Sequence, residues 1–339
     1  MSNLDFDISF EYDTKNNDDS ENKWKIYLFE NFKGILKERL EEMIEKSEYK
    51  LFFIGLRYEY GYYVQRDINK ALSFYKKGAK ANSTDYLSMA RLYDIYATKD
   101  KKFNIINDKN LEIIYLLKSF AYLPMSYLNS NPKKNRCPLN IKYSALSFIT
   151  YNGSELEKIF SYIDYLTNSG KYKDILSIND SNLIKGFIDG YINYSLNGDE
   201  NSLNLLIALS LEGNLEANCR LISIYFKILY SFEINDENKV ELIKKEIFNQ
   251  FQILEKAKYY KAYGQYGLFL YNNMRMFDKT LNIFKQGYEN NMYECSIYYF
   301  HAFTKSENQS IYDLNRFNSQ QFIDIFKTLI DTSALDRHM

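Results

Sequence analysis

Residues 48–85, EYKLFFIGLRYEYGYYVQRDINKALSFYKKGAKANSTD, hold two short amphipathic helical patterns separated by a glycine-bearing turn. In the first, Phe53, Ile54, Tyr58 and Tyr60 recur at helical spacing, and Gly55, lacking a Cβ, lets a partner helix come close. Gly61 ends the pattern. Asp67 is placed to N-cap a second helix whose Ala71, Leu72, Phe74, Tyr75 and Ala79 form an apolar stripe, and Asn82 offers a left-handed stop. The unit reads as a helical hairpin. A lone hairpin cannot bury such a stripe, so the chain must supply neighbours.

Neighbours follow in register. A second unit begins at Asp85, with Met89, Ala90 and Tyr93 in the places of Ile54, Gly55 and Tyr58. Residues 99–107 lengthen its turn before Asp108, which aligns with Asp67, and the unit ends at Pro124. All three prolines, Pro124, Pro132 and Pro138, fall in the next stretch, which is either a connector or a recognition loop. Residues 140–170 and 182–213 give helix pairs broken at Gly153, Gly170 and Gly198, with few of the marker positions. The markers return at Ala217 and Tyr225. A strong copy then spans 262–295, with Gly267, Lys279-Thr280, Ile283-Phe284 and Gly287, after which Cys295 and Tyr299 open another first helix.

This order resembles the Sel1-like repeat, a cousin of the tetratricopeptide repeat. The family runs from a small residue through Leu-Gly, a Tyr three on, a turn Gly, Val, Asp, Lys-Ala, an aromatic pair, Ala and Gly. Here Ile54-Gly55, Tyr58, Gly61, Val64, Asp67, Lys70-Ala71, Phe74-Tyr75 and Ala79 meet it, while Lys50 and Asn82 depart from it. The resemblance implies an all-α right-handed superhelix of hairpins acting as a non-catalytic adaptor or scaffold. Its repeat-defining residues would be Gly55, Tyr58, Gly61, Asp67, Ala71, Tyr75, Ala217, Tyr225, Gly267, Phe284 and Gly287. Similar proteins serve in endoplasmic-reticulum-associated degradation, signalling and complex assembly.

The organisation expected is an acidic arm at 1–20, a capping helix at 21–47 and repeats at 48–123. A proline-containing connector or loop follows at 124–139, then degenerate repeats at 140–211, repeats with a closing helix at 212–330, and a tail at 331–339. Trp24 to Ile44 carries apolar residues at spacings of three and four, as one continuous helix would. With 13 Gly and 3 Pro in 339 residues and no alternating β-branched runs, an all-β fold is disfavoured.

The formal net charge of −1 draws the whole protein to neither nucleic acid nor an anionic membrane. The acidic N-terminus is unlike a signal or transit peptide, and the apolar run Leu203 to Leu211 is too short to span a bilayer. An intracellular, cytoplasmic protein is expected, its three scattered cysteines reduced and buried. Histidine occurs only at 301 and 338, and there is no CxxC, HExxH, phosphate loop or nucleophile elbow, so no catalytic, metal or cofactor site is expected. The partner expected is a protein or peptide. Tyr62, Tyr63 and Arg66 at the first hairpin turn, with Arg57, Tyr93 and Arg220 on first helices, are the candidate contact residues.

Overall fold

The computed structural model describes residues 24–25, 28, 35–124, 141–152, 156–230, 236–290, 292, 295 and 298–299. Among them the regular structure is all helical, and the helices pack in chain order. The chain divides into two units, one of residues up to 29 with 48–123 and 135–185, the other of 30–47, 124–134 and 186–339. The acidic arm at 1–20, Pro132, Pro138 and Cys137 of the connector, both histidines, the closing helix at 322–330 and the tail lie outside the described residues.

The continuous helix expected from Trp24 to Ile44 is interrupted. Trp24, Lys25 and Leu28 are helical, but Leu36 is extended (φ −64°, ψ 149°), and α1 (Lys37–Lys46) starts only after it. The helical spacing runs through a break because Trp24 is claimed by the first unit, where its indole N–H reaches buried Asp94 at 2.9 Å. A buried indole needs such an acceptor.

In the first unit, α2 (Lys50–Tyr60) ends at Gly61 in the left-handed region, and α3 (Ile68–Gly78) starts at Asp67, whose carboxylate accepts the Lys70 N–H. A Cβ on Gly55 would stand 2.5 Å from the Tyr75 ring, so the glycine is what lets α2 and α3 touch. The buried face of α2 is Phe52, Gly55, Leu56 and Glu59, whereas Phe53, Ile54, Tyr58 and Tyr60 are only half-buried. The stripe read from hydrophobicity thus lies to one side of the packed face, because a buried carboxylate occupies one of that face's positions. Ala71 and Tyr75 are buried on α3. Tyr58 is half-buried and stacks on Phe74.

The second hairpin is α4 (Tyr86–Ala97) and α5 (Lys109–Ala121), capped by Asp85 and Asp108. Every residue from Tyr86 to Tyr96 is buried, so α4 is surrounded rather than amphipathic. A side chain on Gly78 would collide with Ser88, so α3 meets α4 as closely as it meets α2. Helices α6 (Ile141–Asn152) and α7 (Leu156–Asn168) continue from α5, and α8 (Ile178–Asp189) spans the division between units.

The second unit continues through a π-helical turn (Gly190–Asn197), α9 (Asn204–Leu211) and α10 (Leu215–Leu229). It then runs through α11 (Glu237–Lys256), α12 (Tyr263–Phe269), a second π-helical turn (Leu270–Met274) and α13 (Phe277–Glu289). Ala217 is buried near the start of α10, which Asn214 caps. Ile222, Phe226, Ile247, Phe251, Tyr266, Phe269 and Phe284 build its core. Here a Cβ on Gly267 would strike the Phe284 ring and one on Gly287 would strike Cys295. These are the counterparts of Gly55 against Tyr75 and of Gly78 against Ser88. The same two glycine contacts, one inside the hairpin and one to the next helix, therefore occur in both units.

Candidate functional site

The most charged interior site lies in the first unit around Arg91. Its sequence neighbours, YLSMARLYDIY, are those of a buried helix, and the guanidinium is buried accordingly. Arg91 grips Glu59 with a fork, Nε to Oε2 at 3.1 Å and Nη2 to Oε1 at 2.6 Å, and its Nη1 meets Asp94 Oδ2 at 2.5 Å. Lys102 Nζ lies 2.9 Å from Glu59 Oε1, and the Tyr75 hydroxyl donates to Glu59 Oε2 at 2.6 Å. The guanidinium also lies over the Trp24 and Phe103 rings, at 5.6 and 5.4 Å.

The two carboxylates respond oppositely. Burial pushes Glu59 up, but the Arg91 guanidinium, Lys102 and the Tyr75 hydroxyl overcome it and hold Glu59 at about 2. Burial also pushes Asp94 up, and there it prevails over Arg91 and the Trp24 N–H. The insertion at 99–107 enters this site, bringing Asp100, Lys102 and Phe103 against Arg91 and Glu59. It completes a core.

A second cluster centres on Asp180. It accepts from the Asn82 and Ser177 N–H groups, both at 3.0 Å, from the Ser177 hydroxyl at 2.9 Å and from the Tyr122 hydroxyl at 2.7 Å. Buried Lys118 lies 3.4 Å from Asp180 and donates to the carbonyls of Ile175 and Lys80, at 2.6 and 3.0 Å. Burial lowers the Lys118 pKa against the pull of Asp180. Both clusters spend their hydrogen-bonding capacity on tying elements together.

Sequence reasoning missed these residues. Their signal was a charge inside an apolar helical run, Arg91 in SMARLY and Lys118 in YLLKSF, since a buried charge must find a partner.

The six expected contact residues separate into two groups. Arg57, Tyr93 and Arg220 are buried, which takes them off any contact surface. Arg57 donates to the Tyr62 carbonyl at 3.3 Å, and Arg220 pairs with Glu216 at 3.0 Å and lies over Phe187. Tyr62, Tyr63 and Arg66 do come together at the turn after α2. Tyr63 is 45% exposed with φ +57°, its ring 4.6 Å from that of half-buried Tyr62, and Arg66 Nε holds the Glu59 carbonyl at 3.0 Å. The corresponding turn of the second unit exposes Tyr271, Met276 and Phe277, with the Tyr271 and Phe277 rings 5.4 Å apart. Arg275 there has φ +53°, as Tyr63 does. Tyr225 is half-buried, edge-on to Tyr194.

Among the described residues no group of His, Cys, Asp and Glu has an arrangement that could hold a metal ion, and no helix is long and apolar enough to cross a membrane. No protein-family model, curated protein or solved structure matches the chain.

Proposed function

We propose that the chain is a non-catalytic, intracellular interaction protein. In this reading it is an adaptor built as a right-handed superhelix of Sel1-like hairpins, and it binds a protein or peptide along a curved surface. The observation that carries it is the exposure of aromatic and apolar side chains at the turns of the two best-matched hairpins: Tyr63 in one, and Tyr271, Met276 and Phe277 in the other. Hairpin packing uses Gly55 against Tyr75 and Gly267 against Phe284. Tyrosine, with an arginine beside it, is the residue type that anchors protein interfaces.

A second reading, a built-in subunit of a larger complex, has its own support. Leu36, Ile106, Ile178, Leu211 and Leu242 stand exposed on five separate segments. Docking on several neighbours would use such separate positions, whereas binding in one groove would not. Affinity capture of the tagged full-length protein, followed by its purification alone, separates the two. An adaptor exchanges its partner and is soluble by itself. A built-in subunit holds fixed stoichiometry and aggregates when isolated. A monomer with no partner that turns over a metabolite would overturn both.

A further inference from the structure

Helix α3 and its flanks carry more positive charge than their neighbouring carboxylates neutralise. Residues 66–80 contain five cations, Arg66, Lys70, Lys76, Lys77 and Lys80, and one carboxylate, Asp67. All five cations are exposed. Lys70, Ser73 and Lys77 recur at spacings of three and four on one face of α3, with Arg66 just before its Asp67 cap and Lys80 just past its Ala79 cap. Among the described residues the only ion pair any of them makes is Lys70 with Asp67, at 3.5 Å.

A stacked ring pair sits within this face. Tyr58 and Phe74 lie parallel, 5.7 Å apart with 5° between planes, while Lys70 covers Tyr58 and Lys77 covers Phe74, each at 5.3 Å. The rings brace two ammoniums about 10 Å apart, two helical turns. That spacing matches carboxylates two turns apart on a helix.

The matched hairpin shows that packing does not require all of this charge. Its framework contacts repeat, with Lys285 in the place of Lys76 and Arg275 before the helix cap as Arg66 is, yet Gln286 and Glu289 stand where Lys77 and Lys80 do, and Lys279, in the place of Lys70, is paired with Glu255 at 3.0 Å.

We propose that this face of α3, from Arg66 to Lys80, binds an acidic segment of a partner protein. The inference rests on the adaptor reading and names the partner's chemistry. A nucleic acid fits less well, because the Tyr58 and Phe74 rings stack on each other and each already carries an ammonium within 5.3 Å of its centre, in competition with a stacking base. An anionic membrane fits less well because α3 exposes no large apolar side chain to insert.

The test is fluorescence anisotropy with the full-length protein and a labelled peptide of five Asp-Glu-Ser triplets, its Asn-Gln-Ser isostere serving as control. A variant with Lys70, Lys76, Lys77 and Lys80 changed to Gln is compared with one in which exposed Lys239, Lys245, Lys256 and Lys258 are changed to Gln. Circular dichroism and Trp24 fluorescence check the fold of each. The α3 variant should bind the acidic peptide about tenfold or more weakly at ~0.15 M salt, four exposed ion pairs being lost, while the second variant binds as wild type does.

Equal losses in both variants, or no binding by the wild type, overturn the proposal. So does tighter binding of oligouridine or of phosphatidylserine vesicles through the same four lysines. Binding that emerges only when Asp5, Asp7, Glu11, Asp13, Asp18 and Asp19 are neutralised would give the face to the chain's own acidic arm and also overturn it. A captured partner that the α3 variant retains leaves the adaptor reading standing and overturns this placement alone.

Discussion

Replacing Arg91 with Met tests the central core cluster. The change removes the only guanidinium between Glu59 and Asp94, whose side chains are 0% and 3% exposed, and keeps much of the apolar stem. In the wild type, Glu59 is held at about 2 against an ordinary 4.5. At ~1.36 kcal/mol per pH unit this corresponds to about 3 kcal/mol, present above pH ~4.5 and lost as pH falls through about 2. Asp94 has the opposite sign. Its folded pKa is raised, so its ionisation works against the fold as pH rises through that value. Without Arg91, burial acts on both carboxylates with only Lys102 and the neutral donors opposing it. The expected loss at pH ~7 is about 3–5 kcal/mol, the usual result of breaking a buried pair from one side. Relative to wild type, the variant should recover part of that loss by pH ~5, where protonation relieves the uncompensated carboxylates. The assay is urea unfolding followed by Trp24 fluorescence, since the only tryptophan in the chain donates to Asp94 and so reports the unit that contains the cluster. A loss below about 1 kcal/mol, or a variant that weakens relative to wild type between pH ~7 and ~5, would refute the reasoning.

Other outcomes follow from the same contacts. Gly55→Ala and Gly267→Ala should each destabilise by about 1–3 kcal/mol, although alanine is the better helix former, because the added methyl meets the Tyr75 or Phe284 ring; thermal unfolding by circular dichroism reads this. Asp180→Ala strips the acceptor from two N–H groups, two hydroxyls and buried Lys118, and should cost about 3–5 kcal/mol in urea titration; a loss under ~1 would show that the cluster is dispensable. Cys219 and Cys295 are buried thiols, and burial raises the Cys219 thiol pKa, so a thiol-specific chromogenic reagent should reach them only on unfolding.

The hairpins were legible in the sequence because their punctuation is local. Asp67, Asp85 and Asp108 each cap a helix by accepting the N–H of a residue two or three positions on, and Gly61 and Asn82 take left-handed backbone, all within a few residues of chain. Helix α11 is legible too, from its Asp236 cap and from Ile243, Ile247, Phe251 and Leu254, but it carries none of the repeat markers. The ionic core was less accessible. Arg91 and Glu59 are 32 residues apart and Lys118 and Asp180 are 62 apart, so a charged residue in an apolar run announces burial without naming its partner. The same limit misplaced Arg57, Tyr93 and Arg220, which helical position alone could assign to a groove or to the interior. Tyr62, Tyr63 and Arg66 lie together because a short turn fixes its own neighbours.

We propose that the exposed hairpin tips bind a partner protein. The most direct test is titration calorimetry of a captured partner against wild-type protein and against a variant with Tyr63, Tyr271 and Phe277 changed to Ser, with folding verified by circular dichroism. Loss of two or more exposed aromatic anchors should weaken binding by about 2 kcal/mol or more, at least roughly thirtyfold. A partner bound equally well by the variant would contradict the claim.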